Sequence, residues 1–416
     1  MYKMMPDYNL AAIHARDYKK RIKDNIDDWL KTETGTGKKL VHWDTYDVDV
    51  YLKVKDGSLT KWYLEYLKTD NHLEELLSAD MNRMLAIIKL IDLERQKRNL
   101  AEDIMYKNAY TQEMFRQSTE YSSYQKGVTK TVSVDHFCSI MHDIFVDNGY
   151  AKNGYFKRDK HVTNLRQRIC PCCGRSFIYT IEPGTDPTNK MVKPQVDHFL
   201  PKSIYPWFGM TYFNLIPICT VCNLKDCKGE NDPLTKHDRP FRIIYPYEYD
   251  PSMMEFTYTM KGCDYNSDEN WEVSIDYKGN DELEGGSRNI IHLDGFYKYH
   301  NHEIKGMYHQ LLVLASRSHG YYPKNGIEVR HLRITPRMMF GFPFNDESSK
   351  TELLYKFKYD IYHKMITERI KQLVEFKEPS DLVADDNACE CLCVRLRDKF
   401  YNFLSKWCII RKIARI

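Results

Sequence analysis

Apolar residues recur every third or fourth position from Ser78 to Tyr106 (SADMNRMLAIIKLIDLERQKRNLAEDIMY), the spacing of one helix face, with Ser78 or Asp80 placed to cap it. A second helix is predicted to open at Ser133, with Val134, Phe137, Met141, Ile144 and Phe145 on one face and Asn148-Gly149 closing it. Between residues 40 and 66 the run WDTYDVDVYLKV alternates apolar and polar positions, which predicts a strand or hairpin. Residues 1–150 therefore read as a mostly helical region. After Pro240 the pattern is mixed. FTYTM (256–260) and WEVSIDYK (271–278) alternate as strands, parted by the polar stretch KGCDYNSDEN, and helices are predicted at about 294–317, 351–374 and 389–412. No internal repeat is evident.

Composition adds bounds. A chain of 416 residues is long enough for two or three domains, and 42% hydrophobic with 29% charged residues is a globular balance. No apolar run approaches the roughly 18 residues of a membrane span, and MYKMMPDYNL does not begin a signal peptide, so the expected location is the cytoplasm. Twelve cysteines in such a long chain point to metal binding or burial rather than to a disulfide framework. Net charge is only +3, but it is unevenly spread: residues 149–240 carry fourteen Lys/Arg against eight Asp/Glu, leaving −3 for the rest. A basic zone of that kind suits a phosphate backbone.

Two local strings carry no chemistry. TGTGKK (34–39) lacks the first glycine of a phosphate loop, and Lys39 stands where a Ser/Thr would hold magnesium. Cys389, Cys391 and Cys393 alternate as C-x-C-x-C, which is not the C-x-x-C turn that grips tetrahedral zinc. The informative text is CPCCGRSF, VDHFLPKSIYP and FNLIPICTVCNLKDCKG. Cys170 with Cys173 and Cys219 with Cys222 form two C-x-x-C turns, the first followed by Gly174, and together they supply four thiolates for a structural zinc. Cys172 and Cys227 are extra thiols that leave the register of the cluster open. Between the turns lie Val196-Asp197-His198, then Pro201, Lys202 and Asn214 before an apolar strand, Leu215 to Ile218; Asn223 follows the last cysteine.

This order (C-x-x-C, D-H, N-L, C-x-x-C-N, then Lys228 or Lys225) resembles the HNH endonuclease family over about 60 residues. The resemblance implies an α+β fold: a central ββα-metal module at 151–240 with a structural four-cysteine zinc, flanked by the helical 1–150 and a mixed 241–416 for regulation or docking. It implies a strand bearing Asp197 and His198, a second strand, and a helix bearing Asn223. His198, with an ordinary pKa near 6.5, is suited to take a proton from water. Asp197 faces the other side of its strand, and the resemblance makes Asn223 its fellow ligand for a divalent cation. One acid and one amide suit Mg²⁺ or Mn²⁺. Asn214 is implied to orient the loop around His198, while Lys202, Lys225 and Lys228 are expected phosphate contacts.

Many family members carry a histidine where Asn223 stands, although CRISPR-effector nickase domains use asparagine there. His237 lies beyond the expected helix. VDHF also occurs at 134–137, without flanking cysteines or asparagines, and is expected to lie on the amphipathic helix with Asp135 and His136 facing solvent. The segments HFLPKSIYP and IIYPYEYDP resemble stand-alone HNH proteins of phage-defence systems, including the Septu type, in which an ATPase accompanies the nuclease. The expected substrate is nucleic acid, DNA foremost, with double-strand cleavage requiring a homo-oligomer or two successive events. The contrasting expectation is a non-catalytic zinc-ribbon binding module.

Overall fold

The computed structural model describes residues 3–31, 38–43, 48–69, 71–100, 125, 128, 130–152, 155–178, 195–234, 242–262, 264, 266–279, 281–318, 336–345, 348 and 351–375. The fold is mixed α+β and divides into two compact units. The first takes residues 1–253, 280–292 and 349–354; the second takes 254–279, 293–348 and 355–416. No helix among the described residues is long and apolar enough to cross a membrane. The helix expected at 389–412, the Cys389–Cys393 run, His237 and residues 34–37 lie outside the described residues.

In the first unit, α1 (Tyr8–Lys31) buries Ala11, His14, Ala15, Ile22, Ile26 and Trp29, spaced to form a single stripe. Trp29 Nε1 donates to Asp143 Oδ2 at 2.8 Å. β1 (Lys38–Trp43) and β2 (Val48–Leu52) form the expected hairpin, antiparallel with a bulge between residues 39 and 41. α2 (Leu59–Lys68) and α3 (His72–Leu77) follow, and α4 (Met81–Lys97) covers most of the predicted 78–106 helix. Asp80 is its cap, accepting from Arg83 N at 3.0 Å, whereas Ser78 terminates α3, its N–H donating to Glu74 O at 3.0 Å.

The helix expected to open at Ser133 starts later. Residues Lys130–Val134 form β3, parallel to β2 with Val50 opposite Val132, and α5 runs Phe137–His142. The duplicate Asp135-His136 does not face solvent as expected. His136 is buried and caps α5 by accepting from Ser139 N, while Asp135 accepts from Lys55 N at 2.6 Å and from the Thr60 hydroxyl. Strand pairing claims the residues through Val134, so the pair fastens the start of α5 to the Lys55–Thr60 segment rather than forming a helix surface. Beyond α5 the chain widens into π-helical turns over Asp143–Tyr150, with Ala151 N donating five residues back to Val146 O at 2.7 Å.

Two short strands, β4 (Gln195–His198) and β5 (Leu215–Ile218), form a separate antiparallel sheet in this unit. The ranges 1–150 and 151–240 fold together, because α1 and the 143–150 turns pack on the segment around residues 206–214 that joins these strands. His14 Nε2, on α1, donates to Met210 O at 2.7 Å. The Asp281–Asn289 helix belongs to this unit as well, with Arg242 N donating to Glu282 O at 3.2 Å.

In the second unit the strands come where alternation placed them, β6 (Glu255–Met260) pairing antiparallel with β7 (Trp271–Asp276). Trp271, Val273 and Ile275 point inward and Ser274 and Asp276 outward. The helix expected at 294–317 is broken into Leu293–Tyr297, one 3₁₀ turn, and Asn301–Ser318. The last described helix, Tyr355–Glu375, presents buried Asp360, which accepts from Phe256 N at 2.8 Å and pairs with Lys356 at 2.6 Å.

Candidate functional site

The four cysteines expected to converge do so. Cys170, Cys173, Cys219 and Cys222 are all buried, with their sulfurs within 4.8 Å of one another. Among the described residues this is the one group of three or more His, Cys, Asp or Glu placed to hold a metal ion. The first turn is closed by Gly174 N donating to Cys170 O at 2.8 Å, with Gly174 at φ +68°, a left-handed conformation that favours glycine. Backbone N–H groups aim at the sulfurs: Cys219 N at Cys170 Sγ (3.4 Å), Cys222 N at Cys219 Sγ (3.5 Å) and Arg175 N at Cys173 Sγ (3.5 Å). Cys173 and Cys219 sulfurs lie 3.9 Å apart, too far for a disulfide and close to the about 3.8 Å edge of a tetrahedron with 2.3 Å metal–sulfur bonds. The donor set fits a metal ion such as zinc. Cys172 and Cys227 are buried nearby and stay outside the set, which fixes the register on Cys170 and Cys173.

Between the two turns, β4 and β5 pair with Asp197 opposite Ile216 and His198 opposite Leu215. Fully buried Asn214 fastens the loop that joins them. Its Oδ1 accepts from Leu200 N at 2.7 Å, and its Nδ2 donates to Leu200 O and Phe208 O, each at 3.1 Å. Asn214 thus bonds across the loop between the two strands. Asn214→Ala would leave Leu200 N and Leu200 O unpaired in the interior, while Phe208 O keeps Thr211 N at 3.1 Å, and we expect a loss on the order of 2 kcal/mol in urea unfolding. A loss below about 1 kcal/mol would show that other groups take over these bonds.

His198 is buried, and its Nε2 lies 3.0 Å from Gly209 O. A carbonyl only accepts, so Nε2 carries the hydrogen and Nδ1 of the neutral ring carries the lone pair. The ring does not keep its ordinary pKa. Burial, and then the Lys202 charge, lower it to about 3, against the favourable bond to Gly209. The expected base near 6.5 is thus corrected: desolvation keeps the imidazole neutral throughout the physiological range.

Asp197 is buried beside it, and desolvation raises its pKa to about 6 even though Lys228 and the His198 N–H favour the carboxylate. Lys228, expected to contact phosphate, lies inside the protein instead. Its Nζ is 3.1 Å from Asp197 Oδ2 and donates to His198 O and Gly229 O at 3.2 Å each. The helix expected to carry Asn223 is absent: residues 219–230 run as successive turns, because the cysteine turn and the bond from Lys228 N to Cys222 O (3.1 Å) close the chain back on itself. Asn223 Nδ2 donates to Gln195 Oε1 at 2.8 Å. Gln195 and Asp197 share one face of β4, so Asn223 and Lys228 both approach that face. They do not form the expected divalent-cation site, since the single carboxylate is already paired with an ammonium and the Asn223 amide is bonded to Gln195. Lys202 is half-buried near both Asp197 and His198, while Lys225 is exposed on the turns.

Tyr150 was not marked by the sequence. It ends the π-helical turns, its ring meets His198 edge to face at 4.6 Å, and its hydroxyl donates to Val196 O at 3.3 Å. Its signal was faint, lying directly after the Asn148-Gly149 stop. Two further histidines clamp the same segment. His14 Nε2 holds Met210 O, and His161 Nε2, from the Arg158–Leu165 helix, holds Leu215 O at 2.9 Å. Burial lowers the pKa of His14 to about 3 and of His161 to about 4. Both folded values lie below the unfolded one, so the stabilisation is complete above about pH 6.5 and is lost as pH falls toward 4. Each contributes a slope approaching about 1.4 kcal/mol per pH unit. Unfolding free energy should therefore drop steeply between pH 6.5 and 5, and His161→Gln should flatten the slope; equal slopes in both proteins would refute the assignment.

Comparison with known proteins gives no match to this chain among family profiles, curated proteins or solved structures.

Proposed function

We propose that the chain is an HNH-type endonuclease that hydrolyses nucleic-acid phosphodiester bonds, DNA foremost, with zinc in the four-cysteine cluster. The observation that carries this reading is the pinned tautomer of His198. On a hairpin beside the cluster, Nε2 is tied to Gly209 O and Nδ1 is left with its lone pair. Four thiolates would close a zinc shell and leave no open position, which supports a structural role for that metal.

The chain's own groups supply a defined chemistry. His198 Nδ1 accepts the proton of an attacking water, and the negative charge of a bound phosphodiester opposes the desolvation that depresses the ring. Lys202 offers positive charge to the phosphate. Asn214 holds the loop so that the imidazole keeps its direction. The chain's basic zone (149–240) suits the same polyanion.

The test is a cleavage panel of single-stranded DNA, double-stranded DNA and RNA, with Mg²⁺ or Mn²⁺ supplied, for the wild type and a His198 variant. The competing reading, a zinc-ribbon binding module, is favoured by the Lys228–Asp197 pair, which satisfies the carboxylate internally. It prevails if the protein shifts DNA mobility and cuts none of the three substrates. The flanking segments that resemble phage-defence nucleases extend the proposal to an ATPase partner in antiviral defence. Co-purification from the native host checks that extension, and recovery of the chain without any ATPase counts against it.

A further inference from the structure

We propose that the Lys228 ammonium is the resident counter-cation of Asp197, so that a divalent metal reaches this carboxylate only by displacing the lysine from the interior. The inference rests on the nuclease reading for its relevance, and on the Lys228 geometry for its content. Lys228 is 1% exposed and among the largest fully buried side chains. An ammonium has three hydrogens to donate, and here three acceptors receive it: Asp197 Oδ2, His198 O and Gly229 O. A lysine reaching for phosphate would lie in water, as exposed Lys225 does.

The inward course is set by the backbone. Lys228 N donates to Cys222 O at 3.1 Å, Cys227 N to Leu224 O at 3.0 Å, and Asn231 N to Lys228 O at 2.8 Å. Gly229 sits at φ +37°, where a Cβ would come within 2.9 Å of Leu224 O and of Lys225 Cα. This turn takes glycine and drives the residue before it inward. The second cysteine turn thereby aims Lys228 at Asp197.

Charge makes the two cations exclusive. Asp197 balances one ammonium; a divalent ion added beside it would leave an uncompensated charge of two in a buried setting, and like charges a few ångströms apart repel strongly there. Among the described residues Asp197 belongs to no group of three or more His, Cys, Asp or Glu placed to hold a metal ion. The failure of Asp197 and Asn223 to form a cation site is, on this view, the lysine-bound state of the centre.

Lysine footprinting of the zinc-loaded full chain tests this. The protein is acetylated with and without saturating MgCl₂, and the modification of Lys228 is compared with that of Lys225 by peptide mass spectrometry. Lys228 should be protected by about tenfold or more without Mg²⁺ and lose that protection with it. Protection unchanged by Mg²⁺, or reactivity equal to that of Lys225 from the start, overturns the proposal. As a second measurement, Lys228→Met should bind Mn²⁺ about tenfold more tightly than the wild type by electron paramagnetic resonance. Adding Asp197→Asn should remove the gain, and equal or weaker binding by Lys228→Met counts against competition. If Lys228→Met does not fold, the wild-type footprint decides. Neither measurement reads cleavage. A chain that cuts nothing yet shows the footprint loses the nuclease reading and keeps this one.

Discussion

Removing the metal from the four-cysteine cluster should unfold the centre of the first unit. Cys219 directly follows β5, Cys170 precedes the turn closed by Gly174, and Leu354 N is held at 2.8 Å by Gly174 O, so three separate segments meet on these knuckles. Structural zinc contributes roughly 10–16 kcal/mol of apparent binding energy in small domains, comparable to the roughly 5–15 kcal/mol of net stability of a whole domain. Four buried thiols without a cation would forgo that contribution. Elemental analysis should give about one zinc per chain. A strong chelator should abolish the cooperative thermal transition, and Cys222→Ala should do the same without chelator. A protein that contains no zinc and melts normally would eliminate the metal centre.

The second large effect is on cleavage. Replacing His198 with Gln keeps an amide N–H able to donate to Gly209 O while deleting the lone pair at Nδ1. On the nuclease reading proposed above, this variant should nick DNA about 10²–10⁴-fold more slowly than the wild type, the range expected for a lost general base. Zinc content and melting temperature should stay close to wild type. His198→Ala should lose activity equally but also stability, because it leaves a buried carbonyl without its donor. If His198→Gln cuts as fast as the wild type, the histidine serves the fold alone. If both variants merely unfold, the two roles separate only in His198→Asn, whose shorter amide tests whether the bond to Gly209 is what matters.

Much of the site was legible because its signals are local. A C-x-x-C turn is defined within four residues, and Cys170, Cys173, Cys219 and Cys222 need only one another and a glycine to converge. The alternation of WEVSIDYK and the cap at Asp80 are likewise short-range, and both appear where expected. Asn214 could be placed because its bonds close a loop between neighbouring strands. What stayed hidden depends on distant partners. The resemblance makes Lys228 a phosphate contact, yet its direction is set by Cys222 O and Gly229. Asn223 was given a helix that the closing of residues 219–230 forbids. The pKa of His198 follows from burial that no residue next to it in sequence announces. His136 shows the converse: its burial comes from β3 joining a sheet whose other strands lie some eighty residues earlier. The two-unit division was also invisible, since the first unit recruits 280–292 and 349–354 from the far side of the chain.

The π-helical turns at Asp143–Tyr150 impose a count on the polypeptide. One end is moored where Asp143 receives Trp29, and the other where Tyr150 meets Val196 and His198. A π turn advances by somewhat less than the about 100° per residue of an α-helix, so losing a single residue between these moorings would swing the tyrosine ring off the imidazole by most of that step. In this stretch length matters more than side-chain identity: substitutions at its outward positions leave the phase intact, whereas a one-codon deletion shifts every contact that follows.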